Sequence, residues 1–493
     1  MKFYKRVLAV AVAFAYICIL SSCSSNNDKK SDNKISSQTK SEDTINSSII
    51  SDESSSDYQY SNEESENDEP SDGEISEVKV EFDKTATIEN TLLFNQNNIK
   101  ISATELEYSD WNVKLNLLIE NNSSEMVTIY SGCGGYSATS INKYHIPEGY
   151  LVCDIPSGTK KIEDVSFSFS NLQPLGINGI SEIDYGFRVD TSDNEDKYKN
   201  KATLFQGTKN IRTSQYEKYK DDNPSIQNMS KLSYVTTKKT FSDSFLSSEK
   251  YSVPQIIYVT RDGEDYIFIE VQNNSNDMVN FLIKDITLNG IIAYGGSYSD
   301  TVDTLPGGKC YFYFSLDSLM DTIREKVFNI QDIQSVGFTI QGIAEDYETE
   351  LIPDDEFEFN ISNKEIGKDY FEGAIYDNNG ISIISKGVAK DESESSKDMH
   401  LVFLIKNNNS ANIYLHIKDS SFKVNGFLMD KPYFYGYIEA GKAKVIDVEI
   451  DEDELKKLKI NDIVDIKKVE TVINVTDENG KEIDGINLIL NYD

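Results

Sequence analysis

LLIENNSSEMVTI, residues 117–129, sets two apolar runs around the polar tetrad Asn121-Asn122-Ser123-Ser124, and two later stretches repeat it without gaps: FIEVQNNSNDMVNF at 268–281 and VFLIKNNNSANIYL at 402–415. Apolar residues alternating on both sides have the period of strands, and small polar residues between them suit a tight connection, because Asn tolerates a left-handed backbone and Ser bonds it locally. Aligned, the copies put Asn121, Asn273 and Asn407 in one column. The later two continue in register to Ile283-Lys284-Asp285 and Ile417-Lys418-Asp419, where the first has Ser131-Gly132-Cys133. A turn glycine then follows in each, with Gly158, Gly308 and Gly441 lying 37, 35 and 34 residues past the column asparagine. After one more strand, LDSLMDTIREKVF (316–328) and IDEDELKKLKI (450–460) read as short amphipathic helices, while the matching SNLQPLGINGIS (170–181) is less helical. EIDYGFRV (182–189), DIQSVGFTI (332–340) and DIKKVETVI (465–473) rejoin the pattern as strands. The phrase therefore counts modules: three β units, at 85–215, 216–365 and 366–493, each with one short helix on a strand crossover.

Bulk properties agree. A chain of 493 residues is too long for one core. Tyr (29) and Phe (23) are plentiful beside a single Trp and 9 Pro, a balance that favours strands. Asp262-Gly263, Asn289-Gly290, Asn379-Gly380, Asn425-Gly426 and Asn479-Gly480 punctuate those strands as hairpin turns. With 48 Lys plus Arg against 83 Asp plus Glu, the net charge of −35 excludes a surface built to neutralise phosphates, and nucleic acid with it.

This order of strands, an N-N-S turn, a glycine turn, a helix and a final strand pair resembles the tandem immunoglobulin-like or telokin-like repeats of bacterial surface lipoproteins, including FxLYD-type modules. The resemblance covers about 85–493. It implies a mainly β chain of three tandem immunoglobulin-like β-sandwich modules with a display or binding role.

The N-terminus speaks to location. Lys2, Lys5 and Arg6 precede VLAVAVAFAYICIL (7–20), a run too short for a membrane span and suited to the core of a signal peptide. Leu20-Ser21-Ser22-Cys23 resembles the lipobox of bacterial lipoproteins. That resemblance implies a signal peptide at 1–22, diacylglycerol and a further acyl chain such as palmitate on Cys23, and a mature protein held by its lipid to the outer face of the cell membrane. Residues 23–84 are Ser, Asn, Asp and Glu with few large apolar side chains, so they read as a disordered acidic tether with a reach of ~40 Å or more.

No pattern carries catalytic chemistry. Cys133 and Cys153 either bridge a short loop, worth roughly 3 kcal/mol, or are two free buried thiols. His145 falls between them, so a Cys nucleophile with a His base is chemically conceivable, but a bridge or packed thiols explain the same residues. His145, His400 and His416 have no metal-ligand spacing. Asp451-Glu452-Asp453-Glu454 opens a helix continuing to Lys456, Lys457 and Lys459, the polarity of a capped helix rather than a Ca²⁺ site. Asp477-Glu478-Asn479-Gly480 reads as a turn. Ser140-Ile141-Asn142-Lys143 and Ser192-Asp193-Asn194 match two motifs of penicillin-interacting enzymes, but their third, K-T-G, is missing from the chain. The chain is expected to be no enzyme, with no cofactor and no metal. Tyr433, Tyr435 and Tyr437 alternate in KPYFYGYIEAG, so on a strand they share a face that can stack on a glycan or a protein partner. Buried rings with wet hydroxyls at a sandwich edge give the same pattern. Tyr294 and Tyr298, and Tyr144 and Tyr150, hold the same place in the other copies. The expected role is lipid-anchored, surface-exposed display, binding or scaffolding. The alternatives are a carbohydrate-binding accessory lipoprotein and the solute-binding lipoprotein of a transporter, which would need two lobes of alternating strands and helices.

Overall fold

Each copy of the opening phrase builds the same pair of facing sheets. In the computed structural model, which describes residues 81–492 except 133–137, 194–200, 298–300, 345–347, 364–369, 391–397, 431 and 433, the chain is mainly β. The signal segment, Cys23, nearly all of the tether, Cys133, Tyr298 and Tyr433 lie outside the described residues. The first sheet of repeat one runs Thr91–Gln96, Ile99–Tyr108, Asn112–Asn121, Thr159–Ser168. Its counterparts are Val235–Ser247, Tyr251–Arg261, Glu264–Asn273, Lys309–Ser315 in repeat two, and Tyr376–Asn378, Ile381–Lys390, Met399–Asn407, Ala443–Ile450 in repeat three. The facing sheet centres on the strand after the column asparagine, Met126–Ser131, Val279–Leu288 or Ile413–Ile417. That strand pairs on one side with Leu151–Ile155, Val302–Thr304 or Tyr435–Ile438, and on the other with Glu182–Ser192, Ser335–Ile343 or Lys468–Thr476. The expected architecture of successive β-sandwiches is the observed one.

The period of two explains the cores. In Asn112–Asn121, Val113, Leu115, Leu117 and Ile119 are fully buried on one face, each contributing about 1.5–3 kcal/mol, and the other face carries Lys114, Asn116 and Glu120. In the later repeats both faces of this strand are covered: Phe268 and Glu270 are buried opposite Ile267, Ile269 and Val271, and Val402 and Leu404 opposite Leu401, Phe403 and Ile405.

The column asparagine closes each sandwich at one end. Asn121 donates Nδ2 to the carbonyls of Glu125 (2.8 Å) and Ile155 (3.0 Å) and accepts at Oδ1 from the Ser123 amide (3.0 Å). Asn273 repeats this with Asp277, Thr304 and Ser275, and Asn407 with Ala411, Ile438, Glu439 and Asn409. All three are completely buried. One amide thus fastens its own turn and ties the first sheet to the second, satisfying backbone groups that burial would otherwise leave unpaired.

A second asparagine column recurs at the hairpins. Asn142, Asn289 and Asn425 are left-handed, with φ of 51°, 51° and 50°, and each Oδ1 accepts from the backbone where the crossover ends, at Ser181, Ser335 and Lys468. Asn289 and Asn425 stand in the Asn-Gly pairs expected as hairpin turns, whereas Asn142 is followed by Lys143 and carries no such signal.

Three details differ from expectation. The helix expected over 316–328 stops at Leu319, and 3₁₀ turns follow at Arg324–Lys326 and Ile330–Asp332, because the Asp321 carboxylate captures the amides of Ile323 and Arg324 and starts a new turn. The crossover of repeat one, expected to be less helical, carries a single turn of helix over Phe169–Leu172, capped by Ser168, and a 3₁₀ turn over Gln173–Leu175 that ends at left-handed Gly176. The turn glycine of repeat two is Gly307 (φ 73°), not Gly308.

The sheets run on from one repeat into the next. Tyr144 pairs in parallel with Lys309, and Ile291 with Ala443, so the second sheet of one repeat continues as the first sheet of the following one. At the first junction the Tyr144 hydroxyl donates to Glu270 Oε2 (3.0 Å), which also accepts from the Ile226 amide (3.1 Å), while Lys309 lies 3.6 Å from Oε1. Tyr144 is therefore a buried junction residue, and among the described tyrosines of repeat one Tyr150 is the exposed one.

Candidate functional site

The strand Tyr435–Ile438 is held from below by Asn407, whose Nδ2 reaches the Ile438 and Glu439 carbonyls. It pairs antiparallel with Ile413–Ile417, placing His416 opposite Tyr435 and Tyr414 opposite Tyr437. Alternation turns Ile413 and Leu415 into the core and leaves Tyr414 and His416 on the outer face. The Tyr414 ring centroid is 6.3 Å from that of Tyr435 and 5.1 Å from that of Tyr437. Tyr435 is 62% exposed, and the Tyr437 hydroxyl accepts from Asn412 Nδ2 at 3.0 Å. His416 Nε2 lies 3.4 Å from Asn474 Nδ2 on the next strand. The result is an aromatic face bordered by an imidazole and an amide. Tyr435 and Tyr437 are the expected members of this face, and Tyr414 and His416 join it through strand pairing. The alternation of IYLHI was visible, its register against YGYI was not.

Beside this face opens a cleft of about 440 Å³ lined by Lys418, Asp419, Phe422, Leu428, Asp430 and Pro432, among others. Ile417 and Phe434 line it too and adjoin His416 and Tyr435 in sequence, so cleft and face belong to one end of repeat three. Lys418 and Asp419 occupy the column where repeat one has Gly132 and Cys133, so the copies differ there.

The other sequence candidates have structural roles. Cys153 is a free buried thiol, 3.3 Å from Lys161 Nζ and 3.5 Å from Glu163 Oε1, and burial raises its pKa, the opposite of what a nucleophile needs. His145 is spent at the first junction: Nδ1 bonds the Thr139 carbonyl (3.1 Å) and Nε2 accepts from the Leu305 amide (3.1 Å). Burial pushes its pKa down to about 4. Gly308 lies directly beneath it, where a Cβ would come within 2.5 Å of Nε2. His400 Nδ1 is 2.7 Å from Asp447 Oδ2.

Ser140-Ile141-Asn142-Lys143 is a hairpin with left-handed Asn142 and Lys143, its Ser140 hydroxyl donating to Asp184 at 2.8 Å. Asp451 caps the helix Glu452–Lys457 by accepting from the Asp453 and Glu454 amides. Asp477 accepts from the amides of Asn479 and Lys481 as a turn residue. Among the described residues no group of three or more His, Cys, Asp or Glu side chains is placed to hold a metal ion, and no helix is long and apolar enough to cross a membrane.

No family model matches this chain, and no curated protein matches it. A solved chain from work on host cell surface retention of a 1.5-MDa bacterial ice-binding adhesin is similar over 77% of this chain and 90% of its own length, with 11% identity and a TM-score of 0.13. A likeness at that score carries no argument.

Proposed function

We propose that the chain is a non-catalytic display protein of a bacterial envelope, tethered through lipid on Cys23, which presents the aromatic face of its third repeat to a glycan. The observation that carries the reading is the Tyr414, Tyr435 and Tyr437 cluster, exposed at Tyr435 and bordered by His416 and Asn474. Tyrosine rings offer apolar surface to the C–H faces of sugars, and the imidazole and amide beside them supply partners for hydroxyls. The tether, with few large apolar side chains, suits a binding module held away from the membrane. The solute-binding alternative does not suit a chain of successive sandwiches, because it needs two lobes of alternating strands and helices. The test is a glycan array probed with the mature chain and with its Tyr435→Ala variant. The reading expects binding to one class of polysaccharide that the substitution removes, and an array without binding would refute it.

A further inference from the structure

Both junctions between repeats use one register. Lys309 and Ala443 occupy the same position in their repeats, each lying across its sheet from the residue just before the column asparagine, Gln272 and Lys406. Their partners Tyr144 and Ile291 also match, since each begins the strand after a hairpin turn containing the left-handed asparagine. Apolar packing follows the same scheme: Phe268 and Tyr311 of repeat two join the core of repeat one, and Val402, Leu404 and Ala443 of repeat three join that of repeat two.

Each half of this junction occurs once more, at opposite ends of the described chain. At the far end, Phe427–Leu428 follows the Asn425 turn as the counterpart of Tyr144 and Ile291. Among the described residues it is an edge strand of its sheet, and Phe427 and Leu428 are 58% and 50% exposed. Val464, on the crossover segment to which Asn425 bonds through the Asp465 carbonyl, is 68% exposed. At the near end, Thr159–Ser168 is the last strand of its sheet among the described residues. There Lys160 lies across from Glu120 and is the counterpart of Lys309 and Ala443. Ile162, the counterpart of the packed Tyr311 and Val445, is 72% exposed, with Leu118 beside it.

We infer that these ends are the two halves of a third junction and that copies of the chain associate head to tail, Phe427 of one copy lying parallel to Lys160 of the next. The occupant is a second copy because the chain itself carries both the donor edge and the acceptor edge, in the register that its internal junctions use. Lysine at the acceptor position is compatible with pairing, since Lys309 sits there in a formed junction. The charged rim of Lys100, Lys114, Lys160 and Glu120 around Ile162 makes the contact weaker than the internal ones, which bury Phe268 and Tyr311 at the first junction and Val402, Leu404 and Ala443 at the second. A contact between two different surfaces leaves one half free at each end, so unless the rotation between copies closes a ring, growth is open-ended.

Sedimentation velocity of the mature chain over a wide concentration range tests this. The inference expects species beyond the dimer that lengthen with concentration. Ile162→Lys alone and Phe427→Asp with Leu428→Asp should each be monomeric, and mixing these two variants should give a dimer that grows no further. Both sets of substitutions are on exposed side chains, and unchanged circular dichroism verifies folding. Crosslinking of a Lys160→Cys variant to a Phe427→Cys variant is the second readout, with a mixed disulfide expected. A monomer at every concentration, association that neither substitution alters, or an edge that captures other sandwich proteins but never its own chain would overturn the inference.

Discussion

Replacing Asn407 by Asp or by Ala separates a fold-bearing asparagine from a merely turn-compatible one. Its amide donates to the carbonyls of Ala411 (2.9 Å), Ile438 (3.2 Å) and Glu439 (3.0 Å) and accepts from the Asn409 amide (3.0 Å), all with the side chain completely buried. Alanine leaves these backbone groups without their partner in a space too tight for easy repair. At about 1–3 kcal/mol for each group left buried and unpaired, with partial relief by water at the turn, the loss comes to about 2–4 kcal/mol. Aspartate is nearly isosteric but turns a carboxylate towards three carbonyl oxygens, so it should cost more than alanine unless it takes up a proton. Urea unfolding at neutral pH measures both, with Asn408→Ala as the neighbouring control, expected within about 0.5–1 kcal/mol of the parent. Because Asn407 holds the strand that bears Tyr435 and Tyr437, the Ala variant should also weaken whatever the aromatic face binds. An Asp variant as stable as the parent would refute the reasoning.

Other consequences are equally concrete. Gly308→Ala should cost about 1–3 kcal/mol by driving its Cβ against the His145 ring, and in a His145→Ala background most of that cost should vanish in a double-mutant cycle by urea unfolding. His145 holds its proton less tightly in the fold, with a pKa of about 4 against 6.5, so the unfolded chain protonates first as pH falls. Its contribution is full above pH 6.5 and is lost between there and about 4, some 3 kcal/mol in all, so the stability gap between parent and His145→Gln should narrow over that interval in denaturant titrations. Cys23→Ala, or globomycin treatment, should leave the precursor unprocessed on an immunoblot, and unchanged lipid labelling would contradict the anchor.

How far the sequence could be read depended on whether neighbours in the fold are also neighbours along the chain. The column of Asn121, Asn273 and Asn407 was legible because its turn is local, and the alternation of Val113 to Ile119 predicts one buried face without knowledge of the opposite sheet. The two-faced burial of Val402 and Leu404 was legible in part, since Asn116 in the first copy stands where the others have Phe268 and Val402. The parallel pairing of Tyr144 with Lys309 was not, because 165 residues separate strands that no turn connects. For the same reason the sequence alone does not separate buried Tyr144 from surface tyrosines, and Tyr414 joins the aromatic face only through the register of its strand against Tyr435–Ile438. The helix over 316–328 failed for a local reason: amphipathic spacing does not register that the Asp321 side chain competes for backbone amides.

The central claim is that the third repeat binds through its tyrosines, and isothermal titration calorimetry tests it most directly. The mature chain would be titrated with the polysaccharide selected on the array, beside variants carrying Tyr435→Ala and Tyr414→Ala. The account predicts saturable binding by the parent, weakened about tenfold by each substitution if one ring contributes roughly 1.4 kcal/mol, with stability in urea unchanged for the exposed Tyr435. Equal affinity in parent and variants would contradict it.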